Sequence, residues 1–221
     1  MKRFYILTIV ATVLLSNHSY TQHMNTNKEV KTQNVLVIGA SGSLAKFVID
    51  TLQKVKTVKL TLLARDRKKI ANDTSNCKVV EVDVMDYPRL QKAIEGQDIV
   101  YINLAGDLET MTNNIVKAMH EASVKRVIAI SSIGIYATPL PPVLASYRKL
   151  ADILESSGLD YAILRPNWFT NVDEIDYAIT HKGKPEKGTA ISRKSIAAFI
   201  ASVVQNPETY KNQNLGISKP N

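Results

Sequence analysis

The residues Gly39-Ala40-Ser41-Gly42-Ser43-Leu44-Ala45 have the types and the spacing to hold a phosphate. They follow the apolar run Val35–Ile38 and lead into a segment with apolar residues at Leu44, Phe47, Val48 and Leu52, a helical spacing. Strand, glycine turn and helix start, in that order, suit a nucleotide pyrophosphate. Gly39 permits a tight turn out of the strand, and Gly42, without a Cβ, permits close approach of the backbone to the anion. Ala45 is small enough to seat the helix on the strand. The helix then directs its free N–H groups and the positive end of its dipole at the phosphates, with Ser41, Ser43 and Leu44 beside them. The spacing is G-x-x-G-x-x-A and departs from the G-x-G-x-x-G form. An ordinary Gly/Ser-rich strand–loop–helix turn is the competing reading.

The ends of later apolar runs carry the next candidates. Arg65 follows Val58–Leu63, roughly 20 residues beyond Ala45, where an acid would bind the ribose 2′-hydroxyl of NAD. An arginine there suits stacking on adenine and a fork onto a 2′-phosphate, which favours NADP. Asp66 leaves NAD open, and a basic surface turn at Arg65–Lys69 is the plainer alternative. Asp83 and Val84 close the run Lys78–Val84, placed for the adenine amino group and ring or, for Asp83, simply to cap a turn. Asn103, Ala105 and Gly106 end Asp98–Leu104 in a turn of small residues beside the cofactor ribose.

These sites need a scaffold, and the chain alternates strand and helix to supply it. Strands are expected at Val35–Ile38, Val58–Leu63, Lys78–Val84, Asp98–Leu104, Val127–Ile130 and Tyr161–Leu164. Helices are expected at Leu44–Lys54, from Pro88 onward, and at Leu108–Ala122, Val143–Ser156 and Lys194–Val204. Nearly continuous apolar strands alternating with helices imply a doubly wound parallel α/β sheet covered on both faces. Asn167–Lys187 reads as polar and irregular, and Leu215–Ile217 as a short late strand. The expected organisation is one Rossmann domain over residues 34–217, of which about 166–217 forms the substrate-side part.

Together with Leu63-Ala64-Arg65 and Val82-Asp83-Val84, the segments Ile130-Ser131-Ser132, Leu159–Pro166 and Ile191–Ala197 complete a resemblance. The chain is similar to the atypical short-chain dehydrogenase/reductases, and within them to the NAD(P)H-binding group of NmrA-like and biliverdin-reductase-B-like proteins. The resemblance implies a Ser that orients a carbonyl, matched by Ser132 with Ser131 beside it. It also implies a proton-donating Tyr with a Lys four residues on. Tyr147 has Ala151 at that place, and Lys149 points about 200° away on a helix. Tyr136 is a second candidate, also without its Lys. Arg165 and Pro166 fall at the cofactor end of the sixth strand, or merely terminate it. Trp168 and Phe169 either close over the substrate or pack in the core.

The chain has 221 residues and a net charge of +8. No run of five or six basic residues suggests a nucleic-acid partner. Cys77 is the sole cysteine, and the four histidines are scattered without the spacing of a metal pair, so no metal is assigned. Residues 1–22 (basic Met1–Arg3, apolar Phe4–Leu15, a polar end) have the layout of a signal peptide or anchor, too short for a stable membrane span, with 23–33 a linker. Alternatively Met24 is the start and the protein is cytoplasmic. Three functional readings arise: hydride transfer from NADPH (or NADH) to a small planar quinone, flavin or enone; a non-catalytic NmrA-like dinucleotide sensor; and, less well matched to the short C-terminal part, a nucleotide-sugar epimerase or dehydratase. Oligomeric state is not legible.

Overall fold

The computed structural model describes residues 32–221. The signal-like segment and most of the linker lie outside the described residues. Among the described residues, ten strands run β1 Gln33–Ile38, β2 Val58–Ala64, β3 Lys78–Glu81, β4 Ile99–Ile102, β5 Arg126–Ile130, β6 Asp160–Pro166, β7 Phe169–Thr170, β8 Ala178–His181, β9 Ile191–Ser192 and β10 Gln213–Ser218. The α-helices of the described residues are α1 Ser43–Leu52, α2 Tyr87–Ile94, α3 Leu108–Glu121, α4 Ala145–Ser156 and α5 Arg193–Gln205.

The main sheet has the order β3-β2-β1-β4-β5-β6-β10-β8. Every pairing is parallel except β10 with β8. The chain leaves β1 for β2 and β3 on one side, then crosses to β4 on the other. Between β1 and β4 the strand order therefore reverses, and a crevice opens there at the carboxyl ends of the strands.

Two apolar cores flank the sheet. Val35 and Val37 of β1 pack with Leu44, Ala45 and Val48 of α1 and Phe199 and Ile200 of α5. Leu36 and Ile38 face the opposite way, toward α2, α3 and α4 with Leu90, Ile115 and Leu150. The alternation follows from the two-residue period of a strand, and because both faces are covered, the strand reads as a continuous apolar run. All four β1 residues have no exposed surface, each contributing about 1.5–3 kcal/mol on burial.

Helix starts follow local chemistry. Asp86, Asp107 and Ser192 accept from backbone N–H groups of Arg89, Thr110 and Ser195 at the starts of α2, α3 and α5. Gly158, at φ +73°, ends the α4 region.

The C-terminal quarter is built into the same domain as the rest of the sheet. Of residues about 166–217, β10 joins the main sheet between β6 and β8, and α5 packs beside α1 over the first core. Asn167–Lys187 is also not wholly irregular, since β7 pairs with β9 and β8 forms the antiparallel edge. Ser195 is fully buried at the start of α5. Its Oγ accepts from the Asp176 N–H at 2.9 Å, and Ser192 Oγ donates to the Glu174 carbonyl at 2.7 Å. These bonds tie the segment after β7 to α5.

Candidate functional site

The crevice at the β1/β4 reversal is a cavity of about 980 Å³, at the upper end of the roughly 300–1,000 Å³ of ligand pockets. Its floor is the turn Gly39–Leu44. Gly39 has φ +85°, and a Cβ there would lie 2.1 Å from the Asn103 carbonyl oxygen. The tight turn is thus required by the end of β4 as well as by any ligand. A Cβ at Gly42 would lie 2.4 Å from Asn103 Nδ2, whose amide donates to the Gly39 carbonyl at 3.5 Å. Asn103 is a brace for the turn. Gly42 N–H closes the turn onto the Gly39 carbonyl at 3.0 Å.

The residues present fit a phosphate-bearing dinucleotide. Helix α1, unlike α2, α3 and α5, has no side-chain cap, and its first turn contains no acid. Its first N–H groups open on the cavity beside Ser41, Ser43 and Leu44, leaving both donors and dipole for an anion. Arg65, exposed at the end of β2, lines the same cavity. Asp66 does not line it; its carboxylate accepts from the Lys68 N–H at 2.9 Å and caps a short 3-10 turn at Arg67–Lys69. The acid that left NAD open thus caps its own turn and stands outside the cavity lining.

Asp83 and Val84 line the cavity beyond the end of β3, which is shorter than the sequence suggested. Asp83 also accepts from the Met85 N–H at 2.9 Å, so the turn-capping reading and the cleft position hold together. Asn103, Ala105, Ser131, Ser132, Tyr147 and Pro166 line it as well. Ser131 is buried and its Oγ donates to the Tyr147 carbonyl at 3.0 Å, pinning α4 to the end of β5. Ser132 Oγ donates to the neighbouring Ile133 carbonyl at 3.1 Å. Lys149 turns away from the cleft and pairs with Glu109 of α3 at 3.3 Å, while Ala151 is buried in the second core. Among the described residues, no lysine lines the cavity beside Tyr147.

Four expected site residues lie elsewhere. Ala45 is fully buried among core side chains, where its small size serves packing alone. Gly106, at φ +106°, shapes the turn before α3 without lining the cavity. Tyr136 and Arg165 line a second cavity. Strand alternation turns Arg165 away from the side that Pro166 presents. Its Nε donates to Glu186 Oε1 at 2.7 Å, and its Nη1 donates to Asn214 Oδ1. Tyr136 donates to Glu155 at 3.2 Å and accepts from Asn214 Nδ2 at 2.7 Å. Burial and the Glu155 charge push its phenol up, against the opposing pull of Lys182 and Arg165.

One part of the cavity lining is apolar and exposed. Trp168 is 82% exposed and Val143 76%, with Phe169 and Met85 also on the surface. All four line the cavity, which rules out the core-packing reading for Trp168. Arg193 lies over the Phe169 ring, 5.0 Å from its centroid. Among the described residues, Arg65, Asp83 and Tyr147 are the titratable ones lining the cleft, so the part around Val143, Trp168 and Phe169 is apolar with the hydroxyls of Ser131, Ser132 and Tyr147 at one wall.

Comparison with known proteins agrees with this geometry. Residues 39–207 match the NAD(P)H-binding family model. A Rossmann-fold NAD(P)-binding family protein from Shigella flexneri is 42% identical, with TM-score 0.80, covering 86% of this chain and 94% of its own. A short-chain dehydrogenase/reductase from Veillonella parvula, solved in complex with NADP, shares the fold at 23% identity and TM-score 0.77, covering 85% of this chain and 95% of its own. An isoflavone reductase homolog of Nicotiana tabacum is 24% identical over 214 residues, 84% of this chain and 68% of that protein. The chain belongs to the NAD(P)H-binding family of Rossmann-fold proteins.

Proposed function

We propose that the protein is an NADP-preferring oxidoreductase that reduces a small, planar, apolar acceptor of the quinone, flavin or enone type. The observation that carries this reading is the continuity of one cleft, from the uncapped start of α1 and Arg65 to a wall of Ser131, Ser132 and Tyr147 under an apolar mouth. The turn and α1 hold the pyrophosphate, and Arg65 pairs with the 2′-phosphate in a fork. When bound, the cofactor supplies the hydride, and the protein supplies orientation and exclusion of water. Ser132 hydrogen-bonds the acceptor oxygen. Trp168 and Phe169 cover the ring, and Val143 and Leu144 form the facing wall. With no lysine beside Tyr147, a carbonyl that needs strong acid assistance is a poor substrate. An acceptor that takes its proton from Tyr147 or water suits the site.

The missing lysine also favours a second reading, a dinucleotide sensor without turnover. The two separate in one experiment on the purified full chain. NADPH and NADH are titrated, then loss of reduced-nicotinamide absorbance is followed with a quinone, flavin and enone panel. Turnover with at least one class supports the enzyme. Tight NADPH binding with no oxidation by any acceptor supports the sensor, and absence of binding overturns both.

A further inference from the structure

A second cavity, of about 510 Å³, opens at the β6–β10–β8 side of the sheet. It is separate from the dinucleotide cleft, although one loop serves both. Ser132 and Ile133 line the cleft; Gly134, Tyr136 and Ala137 line the second cavity. Its other walls are Arg165, Lys182, Lys184 and Glu186. Arg165, Lys182 and Lys184 thus line it with one carboxylate, Glu186, while Glu155 engages Lys182. Arg165 is 1% exposed, so its charge is held in a low-dielectric setting and demands an anion.

The anion it has is supplied by the chain itself. Glu186 Oε1 accepts from Arg165 Nε at 2.7 Å, and Oε2 accepts from the Gly134 N–H at 3.2 Å. Gly134 is at φ +81°, a conformation that aims its N–H across the loop at this carboxylate. A guanidinium and a backbone N–H converging on the two oxygens of one carboxylate form a cradle for that group. Glu186 belongs to no helix or strand and lies between Gly183 and Gly188, both at positive φ. Lys182 is engaged by Glu155 at 2.6 Å, whereas Lys184 forms no ion pair among the described residues. Lys184 therefore adds to the cradle's field a charge that Glu186 does not use.

We infer that this cavity is a binding site for a small carboxylic acid with more than one carboxylate, whose first carboxylate replaces Glu186 on Arg165 and Gly134 N–H and whose second meets Lys184. A single external carboxylate competes poorly, because a tethered one is present at an effective concentration of millimolar or more. The second charge gives a dicarboxylate its advantage.

The test uses ¹⁵N-labelled full chain saturated with NADPH, titrated with succinate and, separately, with acetate and with chloride at matched ionic strength. The Gly134 amide resonance is the readout. Succinate is expected to shift it saturably, acetate far more weakly and chloride not at all. Glu186→Gln, which keeps the side-chain shape but removes its charge, should tighten succinate by about tenfold or more, and Lys184→Gln should weaken it by a similar factor. A Gly134 resonance unmoved by succinate, or moved equally by chloride, overturns the proposal in the unmodified protein without reliance on any variant. An unchanged response in Lys184→Gln overturns it too. Failure of the protein to bind NADPH would count against the dinucleotide reading alone, since the same titration can be run without NADPH.

Discussion

Substituting Gly39 by Ala separates two costs that glycine avoids, and Gly96 supplies the comparison. Gly39 has φ +85° and Gly96 φ +73°, so an alanine at either pays about 1–2 kcal/mol for the left-handed backbone. At Gly96 the new methyl meets nothing within 4 Å. At Gly39 it meets the Asn103 carbonyl oxygen at 2.1 Å and its carbon at 2.9 Å. Both are backbone atoms, and the Asn103 N–H is itself bonded to the Ile38 carbonyl at 2.9 Å. Relief requires the two to separate by about 1.4 Å, given that carbon and oxygen touch at roughly 3.5 Å. That movement strains the bonds of Gly39 N–H to Leu63 and of Gly42 N–H to Gly39, both 3.0 Å, at a net cost of about 0.5–1.5 kcal/mol each. The total is about 2–5 kcal/mol for Gly39→Ala against about 1–2 for Gly96→Ala. With about 2–4 °C per kcal/mol for a domain this size, Tm falls by roughly 4–20 °C and 2–8 °C. Thermal unfolding by circular dichroism gives the stabilities, and NADPH titration of the folded protein gives the affinity. Gly39→Ala should lose NADPH affinity while Gly96→Ala keeps it. Equal destabilisation by both, or unchanged NADPH affinity in Gly39→Ala, refutes the reasoning.

Arg65→Ala should weaken NADPH by about 10- to 100-fold and leave NADH nearly unchanged, as measured by titration of both; equal losses contradict the 2′-phosphate role. Tyr136→Phe should lower Tm without altering NADPH affinity, because Tyr136 lines the second cavity, whereas Tyr147→Phe should leave Tm nearly intact and slow turnover. Burial pulls the Glu155 carboxyl up, yet hydrogen bonds from Lys182, Asn214 and Tyr136 hold it below the usual range. Its folded pKa is thus depressed, so its contribution is fully present above about pH 4.5 and is lost as pH falls. Glu155→Gln should flatten the decline of Tm between about pH 5 and pH 3, and an unchanged slope would show the decline to come from other groups.

Long apolar periods made most of the fold legible. β1, α1, β2, α3, β5 and β6 fall within a few residues of their expected places because burial on one or two faces imposes a strict pattern. β8 escaped because its residues are half-buried or exposed, with Thr180 and His181 breaking the apolar run at an antiparallel edge. β7 and β9 are two residues each, too short to carry a period. The end of the cleft at Gly39–Leu44 and Arg65 was legible because glycine, serine and arginine sit at strand ends, where topology alone places them. Tyr136 and Arg165 were misplaced for a different reason. Adjacent residues of a strand point oppositely, and the turn at Gly134 carries Tyr136 away from Ser132. The apolar mouth at Val143 and Trp168 could not be told from core by residue type, since only exposure separates the two.

Single-turnover mixing of the NADPH-loaded full chain with a quinone, using nicotinamide deuterated at the transferring position, tests the central claim most directly. The account predicts loss of the reduced-nicotinamide absorbance in one phase that slows with deuterium. Tightly bound NADPH whose absorbance stays constant with quinone, flavin and enone alike would contradict it.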